Sequence, residues 1–250
     1  MTSTSELSDT TTMVVGASRG LGRGIATAFA EAGAPVIAVA RTAAPAVDLA
    51  GGGGIQQEVA DAADARVAAS LLDRYEPEAI ILVAGASPLI RPLQHQTWEA
   101  FSVNWHTDVR IAFQWLREAL LKPLRPGSRV IVISSGAALQ GSPLSGGYAG
   151  AKATQRFITA YAQEEANRAG LDMTFTAVLP RITPLTDLGR PAVAAYAARS
   201  GQTEQEYLQH FGEPLTPQVA GAALVELIQA DAVRVGSAYL LTGAGLHELT

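Results

Sequence analysis

Short apolar runs alternate with longer amphipathic segments along this chain of 250 residues. The short runs have the length of buried strands, and the longer segments repeat apolar residues at helical spacing. These patterns predict strands at residues 13–16, 35–40, 55–59, 79–83, 129–133, 173–179 and 238–241. They predict helices at residues 23–32, 62–75, 98–121, 148–169 and 217–229, with two shorter helices at 191–199 and 204–211.

This alternation of strands and helices also predicts the fold class. Strands that are separated by helices form a mostly parallel sheet with helices on both faces, and right-handed crossovers give the doubly wound form. We therefore expect an α/β protein with a single Rossmann-type domain and a seven-stranded sheet at residues 11–250, after a polar tail at residues 1–10. No linker-like change of composition divides the chain. The glycine run at residues 51–54 is interpreted as a turn or flexible loop.

Composition narrows the class of protein. A hydrophobic content of 48% allows a large core, and no apolar run approaches the length of about 18 residues that a membrane span needs. The polar start of the chain resembles neither a secretory signal nor a transit peptide, so we expect a soluble, cytoplasmic protein with no membrane partner. The absence of cysteine excludes disulfides and thiolate catalysis, and the net charge of −5 argues against nucleic-acid binding. The four histidines show no metal-ligand spacing, so no metal is expected.

The segment VVGASRGLG connects the first predicted strand to the first predicted helix. Its glycines, Gly16, Gly20 and Gly22, allow a tight turn and a close backbone approach. The turn leaves backbone amides and a helix N-terminus free for a pyrophosphate, so it predicts a dinucleotide site that also includes Ser18 and Leu21. In another context, a glycine-rich loop is more often only a turn.

The end of the second predicted strand indicates which dinucleotide binds. A site for NAD usually has an acidic residue there, but this chain has Ala40. Arg41 follows it, and Arg19 lies inside the glycine turn, so two guanidinium groups are available for a 2′-phosphate. Each arginine could equally be a solvated surface residue. Together they favour NADP(H) as the cofactor.

The segment SSGAALQGSPLSGGYAGAK, from Ser134 to Lys152, carries the strongest chemical signal. The spacing of four places Tyr148 and Lys152 on one face of a helix, where the ammonium favours the phenolate form of the tyrosine. Such a tyrosine can act as a general acid or base, and a serine at the end of the preceding strand can hydrogen-bond the same reacting oxygen. The alternative is an exposed helix pair that contributes about 0.2–0.5 kcal/mol.

A serine thirteen positions before Tyr-x-x-x-Lys, together with a GxxxGxG turn near the N-terminus, resembles the short-chain dehydrogenase/reductase family. The resemblance covers nearly the whole chain. It implies that Ser135, rather than Ser134, is the catalytic serine, that Tyr148 is the acid/base and that Lys152 is its partner. It also implies that Asn104 holds a water linked to that lysine; the alternative for Asn104 is a polar contact in a helix interface.

The same resemblance implies further cofactor contacts and an activity. The contacts fall on Glu58, Val59, Ala84, Gly85, Pro180 and Thr183. The expected activity is that of an NADPH-dependent carbonyl reductase, or of the reverse alcohol dehydrogenase, on a small-molecule substrate. Residues 185–212 would cover the substrate as a lid. A homo-oligomer, tetramer or dimer, would form through the helices at 98–121 and 148–169.

Three sites depart from the family pattern. The adenine-contacting aspartate is replaced by Glu58, the Asn-Asn-Ala-Gly motif reads LVAG, and Arg181 stands in place of a glycine after Pro180. Arg181 could point to solvent, pair with a carboxylate of the protein, or select an acidic substrate. Two other functions stay open at this point, namely a non-catalytic NADP(H) sensor and an epimerase or dehydratase on the same fold.

Overall fold

The computed structural model describes residues 7–43, 45 and 54–249. Its strands are β1 (Thr12–Val15), β2 (Val36–Ala40), β3 (Ile55–Val59), β4 (Ala79–Leu82), β5 (Ser128–Ile133), β6 (Met173–Pro180), β7 (Ala238–Thr242) and β8 (Gly245–Glu248). They form one sheet in the order β3-β2-β1-β4-β5-β6-β7-β8. Strands β1 to β7 pair in parallel, and β8 pairs antiparallel with β7. The predicted doubly wound sheet with seven parallel strands is confirmed.

The eighth strand was not predicted from the sequence. It is a four-residue edge strand of sequence GLHE, whose last two residues are exposed and polar. Such a short segment shows no alternation of apolar and polar residues that would distinguish it from a turn.

Helices cover both faces of the sheet. They are α1 (Gly20–Glu31), α2 (Ala65–Tyr75), α3 (Trp98–Asn104), α4 (Arg110–Leu121), α5 (Ala137–Gln140), α6 (Gly146–Arg168), α7 (Gly189–Arg199), α8 (Glu204–Gln209) and α9 (Pro217–Gln229), with 3₁₀ turns at Leu93–His95 and Ala232–Arg234. On one face, α1 and α9 pack on the sheet around Phe29 and Leu224. On the other face, α2, α4 and α6 pack around Trp115 and Phe175. Within the described residues, no helix is both long and apolar enough to cross a bilayer.

Local sequence accounts for where several of these helices begin. The carboxylate of Asp64 accepts a hydrogen bond from the backbone of Arg66 and so caps α2, and the hydrogen bonds from Arg66 lower the pKa of Asp64 to about 2. Thr216 caps α9, and Pro217 occupies its first turn, where a missing N–H costs nothing. The predicted helix at 217–229 therefore coincides with α9.

Several predicted helices differ from the structure: α1 begins three residues before the start predicted for it and α2 three residues after, and two further cases follow. Residues 98–121 do not form one helix, because a π-helical segment, Trp105–Val109, separates α3 from α4. A π turn adds a residue to the helix without ending it, so the apolar spacing continues through it. Helix α6 begins two residues earlier than predicted, so the glycine pair belongs to its first turn. This turn packs closely on α3: a Cβ at Gly147 would lie 1.9 Å from the carbonyl oxygen of Phe101.

The predicted N-terminal tail lies partly outside the described residues. Residues 1–6 are not described, and neither are residues 51–53 of the predicted glycine turn. Leu7 is buried, and its backbone N–H donates to the carbonyl of Ala32 at 3.0 Å. The last residues of the predicted tail are thus packed on the core beyond α1.

Candidate active site

The glycine turn between β1 and α1 lies where the strand order of the sheet reverses. Gly16 has a φ of +99°, and a Cβ on it would lie 2.6 Å from the backbone nitrogen of Ala84. A Cβ on Gly22 would lie 2.1 Å from the carbonyl oxygen of Gly16. The turn is therefore packed against the end of β4, and α1 begins at Gly20 with its N-terminus directed at the carboxyl edge of the sheet. Ligands of doubly wound sheets bind at this edge, and helix N-termini favour phosphate.

A cavity of about 130 Å³ lies beside the glycine turn. Its lining includes four residues of interest: Ser18, Glu58, Val59 and Arg23. Sequence reasoning missed Arg23, although its position directly after the glycine turn, in the first turn of α1, was a signal for it. Leu21 is half-buried and packs against the hydrophobic core.

The side chain of Glu58 is already engaged by helix α2. Its carboxylate accepts hydrogen bonds from Arg74, at 3.1 Å, and from the hydroxyl of Tyr75. The hydrogen bond to the carboxylate and partial burial raise the pKa of Tyr75. Glu58 thus lines the cavity with a carboxylate that is held by α2.

The two arginines expected at the 2′-phosphate are exposed. Neither Arg19 nor Arg41 makes an ion pair or a side-chain hydrogen bond within the part of the chain that the structure describes. Arg41 directly follows β2, the strand that pairs with β1. The backbone N–H of Gly16 donates to Val39 at 2.7 Å, so the glycine turn and the end of β2 are in contact.

Strand β5 and helix α6 bring the predicted catalytic residues to the same edge. The hydroxyl of Ser134 is buried and donates to the carbonyl of Lys152 at 2.7 Å, while Lys152 Nζ donates to the carbonyl of Ile133 at 3.2 Å. Tyr148 is half-buried, with its ring centroid 5.5 Å from that Nζ. Ser135, the residue after Ser134, is half-buried, and its hydroxyl accepts a hydrogen bond from the backbone N–H of Ala137 at 3.2 Å. Ser134 therefore joins β5 to α6, and Ser135 is the more accessible of the two.

Lys152 has two partners that the sequence did not indicate. Its side chain is 6% exposed, and its Nζ lies 3.2 Å from Oδ2 of Asp108, whose side chain is 1% exposed. Nζ also donates to Oε1 of Gln155 at 2.9 Å. The signal for Gln155 was its position three residues after Lys152 on the same helix, whereas no local spacing links Asp108 to Lys152.

Asn104 lies at the end of α3, where the π-helical segment begins. Its Nδ2 donates to the carbonyl of Ala86 at 2.7 Å and to Oδ1 of Asp108 at 3.3 Å. Asn104 thus approaches Lys152 through Asp108 rather than directly.

The segment after β6 connects the catalytic edge to the glycine turn. The carbonyl of Pro180 accepts a hydrogen bond from Gly136, directly after Ser135, at 2.8 Å. Thr183 is buried and its hydroxyl pairs with that of Thr186 at 3.0 Å. Thr186 approaches the glycine turn, with its methyl group 3.9 Å from the position that a Cβ on Gly20 would take.

Helices α7 and α8 lie over the same edge, in the segment predicted to be a lid. The hydroxyl of Tyr196, on α7, hydrogen-bonds with Ser142 and with Ser145, which directly precedes α6. The ring of Tyr196 stacks on that of Tyr207, which contacts Phe211 with centroids 5.2 Å apart. Burial raises the pKa of Tyr207. A chain of aromatic and hydroxyl contacts therefore joins the lid to the start of α6.

Comparison with known proteins agrees with this architecture. A family model described as short chain dehydrogenase matches residues 10–197. The chain belongs to the short-chain dehydrogenase/reductase family, which makes it an oxidoreductase of carbonyl or alcohol substrates, and a nicotinamide cofactor, NAD or NADP, is typical of that family. No curated protein sequence matches the chain significantly.

Solved structures share the fold at low sequence identity. A 3-oxoacyl-[acyl-carrier protein] reductase from Brucella melitensis, in complex with NAD, is 22% identical with a TM-score of 0.78, covering 94% of this chain and 96% of its own. Levodione reductase is 19% identical with a TM-score of 0.79, covering 94% and 97%. A short chain dehydrogenase from Mycobacterium avium is 23% identical with a TM-score of 0.76, covering 97% and 85%.

Proposed function

We propose that this protein is an NADP(H)-dependent oxidoreductase that transfers a hydride between the cofactor and a carbonyl or alcohol substrate. The observation that carries the proposal is that Lys152 lies beside Tyr148 and is hydrogen-bonded to the end of β5, at Ile133 and at Ser134, the residue before Ser135. The N-terminus of α1, at the glycine turn, fits the pyrophosphate of a dinucleotide. The nicotinamide would supply or accept the hydride.

The residues of this chain would handle the substrate oxygen and its proton. The hydroxyl of Ser135 would hold the carbonyl oxygen, and the hydroxyl of Tyr148 would give it a proton. Within the described residues, the Tyr148 hydroxyl has no hydrogen-bond partner, so it is available for this role. The ammonium of Lys152, whose Nζ lies 5.5 Å from the ring centroid of Tyr148, would compensate the negative charge that the transfer leaves on the tyrosine oxygen.

Tyr148→Phe tests the proton donor. The variant removes the hydroxyl and keeps the ring, so kcat should fall by about 10²–10⁴-fold, whereas NADPH affinity measured by fluorescence titration should hardly change. Tyr161→Phe, at an exposed position on the same helix, is the matched control and should keep its turnover. If Tyr148→Phe retained more than about a tenth of kcat, the assigned role would be wrong.

A substrate screen separates this function from the two alternatives. Consumption of NADPH, followed by absorbance in the presence of ketones and aldehydes, supports the reductase. Tight NADPH binding without turnover of any substrate would favour a sensor. Conversion of a substrate with no net change in NADPH would favour an epimerase or dehydratase.

The preference for NADP(H) rests on the charges around the adenosine end of the site. Ala40 offers no carboxylate to a ribose hydroxyl, and the exposed guanidinium groups of Arg19 and Arg41 have no ion-pair partner in the described chain. Arg23 adds a third guanidinium, on the cavity wall. Unpaired guanidinium groups favour a 2′-phosphate because they bind phosphate in a fork geometry. The structure of the Brucella relative contains NAD, so the relatives alone do not decide the cofactor.

Arg41→Ala tests the cofactor preference. A charge-assisted hydrogen bond contributes about 1.5–3 kcal/mol, so the wild type should prefer NADPH about tenfold or more in kcat/KM. The variant should lose that preference through weaker use of NADPH, with NADH hardly affected. Arg234→Ala, in the 3₁₀ turn after α9, is the control. Equal use of both cofactors by the wild type would contradict the assignment.

A second cavity, of about 480 Å³, suggests the substrate class. Its lining is largely apolar and includes Ile182, Leu208, Phe211 and Leu215, with Arg181 and Glu213 as its charged residues. It contains neither Ser135 nor Tyr148. It is linked to Ser135 through the backbone, because Arg181 follows Pro180, whose carbonyl accepts a hydrogen bond from Gly136, the residue after Ser135. Arg181 is exposed and has no ion-pair partner in the described part of the chain. We propose that the substrate has an apolar body and a carboxylate or similar acidic group, which Arg181 binds.

Arg181→Ala tests this substrate class. The variant should raise KM for acidic carbonyl substrates about tenfold or more and spare neutral ones, which corresponds to a loss of about 1.4 kcal/mol. Glu213→Gln, on the same cavity wall, is the control and should not weaken acidic substrates, because it removes a negative charge. Equal effects of Arg181→Ala on acidic and neutral substrates would remove Arg181 from the site.

We also propose that copies of the chain associate through α4 and α6. The two helices pack side by side, and each leaves aromatic residues exposed: Phe113 on α4, and Phe157 and Tyr161 on α6. Contiguous exposed aromatic residues are typical of protein interfaces.

Phe157→Glu tests the interface. A charge in the middle of the exposed aromatic patch should lower the molecular mass in sedimentation velocity from that of an oligomer toward that of a monomer. Val233→Glu, at a residue that is 92% exposed in a turn, should leave the mass unchanged. A wild type that sediments as a monomer would contradict the proposal.

A further inference from the structure

The ion pair between Asp108 and Lys152 is buried inside the candidate active site. The two side chains are 1% and 6% exposed, and Oδ2 lies 3.2 Å from Nζ. Charges are rarely buried unless each has a partner, because water no longer solvates them. The proposed mechanism uses Lys152 but gives Asp108 no part. The position of this carboxylate therefore needs its own explanation.

Asp108 is anchored by groups from the neighbouring strand end. It belongs to the π-helical segment, and its Oδ1 accepts hydrogen bonds from the backbone N–H of Ala86, at 2.8 Å, and from Asn104. A Cβ on Gly85 would lie 2.7 Å from Oδ2, so the segment after β4 passes the carboxylate too closely for any side chain. One carboxylate oxygen thus fixes Asp108 to this segment, and the other is directed at Lys152.

The ammonium of Lys152 is held from three sides by the protein. An ammonium has three N–H donors. Two of them are taken by the carbonyl of Ile133 and by Oε1 of Gln155, whose own Nε2 donates to the backbone carbonyl of Asp108 at 2.9 Å. The contact with Oδ2 has the distance of an ion pair but not the alignment of a hydrogen bond, and Oδ2 has no other hydrogen-bond partner. The carboxylate therefore compensates the charge of Lys152 and leaves its third N–H free to turn toward the catalytic edge.

We propose that Asp108 is a positioning residue that acts through Lys152. Its carboxylate holds the ammonium one helical turn from Tyr148, and it couples that ammonium to the segment after β4 that borders the glycine turn. This inference rests on the proposed function, because Lys152 must take part in cofactor binding or proton transfer for its position to matter. The role needs a carboxylate, since an amide has one oxygen and cannot serve both the Ala86 N–H and the ammonium.

A double-mutant cycle between Asp108→Asn and Lys152→Met tests the inference. If Asp108 acts through Lys152, Asp108→Asn should lower kcat/KM and weaken NADPH binding about tenfold or more in the wild-type background, and change both by less than about twofold in the Lys152→Met background. Effects that simply multiply in the two backgrounds would mean that Asp108 acts independently of Lys152, and would overturn the inference.

Thermal stability gives a second readout of the pair, which needs no turnover. Each single variant leaves one charge buried without its partner, so each should lower Tm by several degrees. The double variant removes both charges and should melt above either single variant. If Asp108→Asn does not fold alone, the comparison of the double variant with Lys152→Met still tests the pair. A double variant that melts below both singles would contradict the ion pair.

Thr159→Val is the matched control. Thr159 is a fully buried polar residue on α6, the helix of Lys152. Its hydroxyl donates a hydrogen bond to the backbone carbonyl of Gln155. This variant should keep kcat and NADPH affinity within about twofold. If the wild type showed no turnover, the proposed function would fail. The double-mutant cycle, measured by NADPH affinity and by Tm, would still decide the role of Asp108. Turnover that depends on Tyr148 but not on Asp108 would overturn this inference alone.

Discussion

Burial of a parallel sheet on both faces confines the chemistry of this protein to the carboxyl edge of its strands. Helices cover the two faces with apolar side chains, so polar groups from β1, β4, β5 and β6 meet where those strands end. Backbone contacts draw the ends together: Gly16 packs on Ala84, and the carbonyl of Pro180 binds Gly136. The edge is therefore a continuous surface, with the glycine turn at one end and the lid at the other.

The polar groups that are buried at this edge are largely satisfied by the protein itself. Asn104, Asp108, Lys152 and Gln155 form one network whose members come from α3, the π-helical segment and α6. A network of this kind is rigid when its members have partners, because the low dielectric inside the protein strengthens each contact. The structure thereby places a fixed positive charge beside a half-buried phenol. The π turn is the local distortion that makes this possible, since it adds the residue that brings Asp108 inward.

The sequence predicts most of the fold because its signals are local. The strand predicted at residues 55–59 coincides with β3, and a threonine cap followed by a proline defines the start of α9. The π-helical segment was missed because residues at helical spacing occur on both sides of it. Strand β8 was missed because its four residues show no alternation of apolar and polar side chains. The motifs also indicate which residues gather at the edge: the structure places Tyr148 beside Lys152 there and joins Lys152 to Ser134, the residue before Ser135. Asp108 could not be assigned to Lys152 in this way, since contacts across helices depend on packing that no single segment encodes. Gln155 could have been, because it lies three residues after Lys152 on the same helix face. Cofactor choice and cytoplasmic location stay predictions.

The segment between β6 and α7 touches both halves of the site. Thr186 packs near Gly20 in the glycine turn, while a few residues further on α7 is joined to the start of α6 by the hydroxyl of Tyr196. A dinucleotide on the turn would therefore contact the first residues of the segment that is proposed to cover the substrate. For the chemistry proposed here, this geometry favours an ordered kinetic sequence in which the cofactor binds first, fixes the position of the segment between β6 and α7, and leaves last.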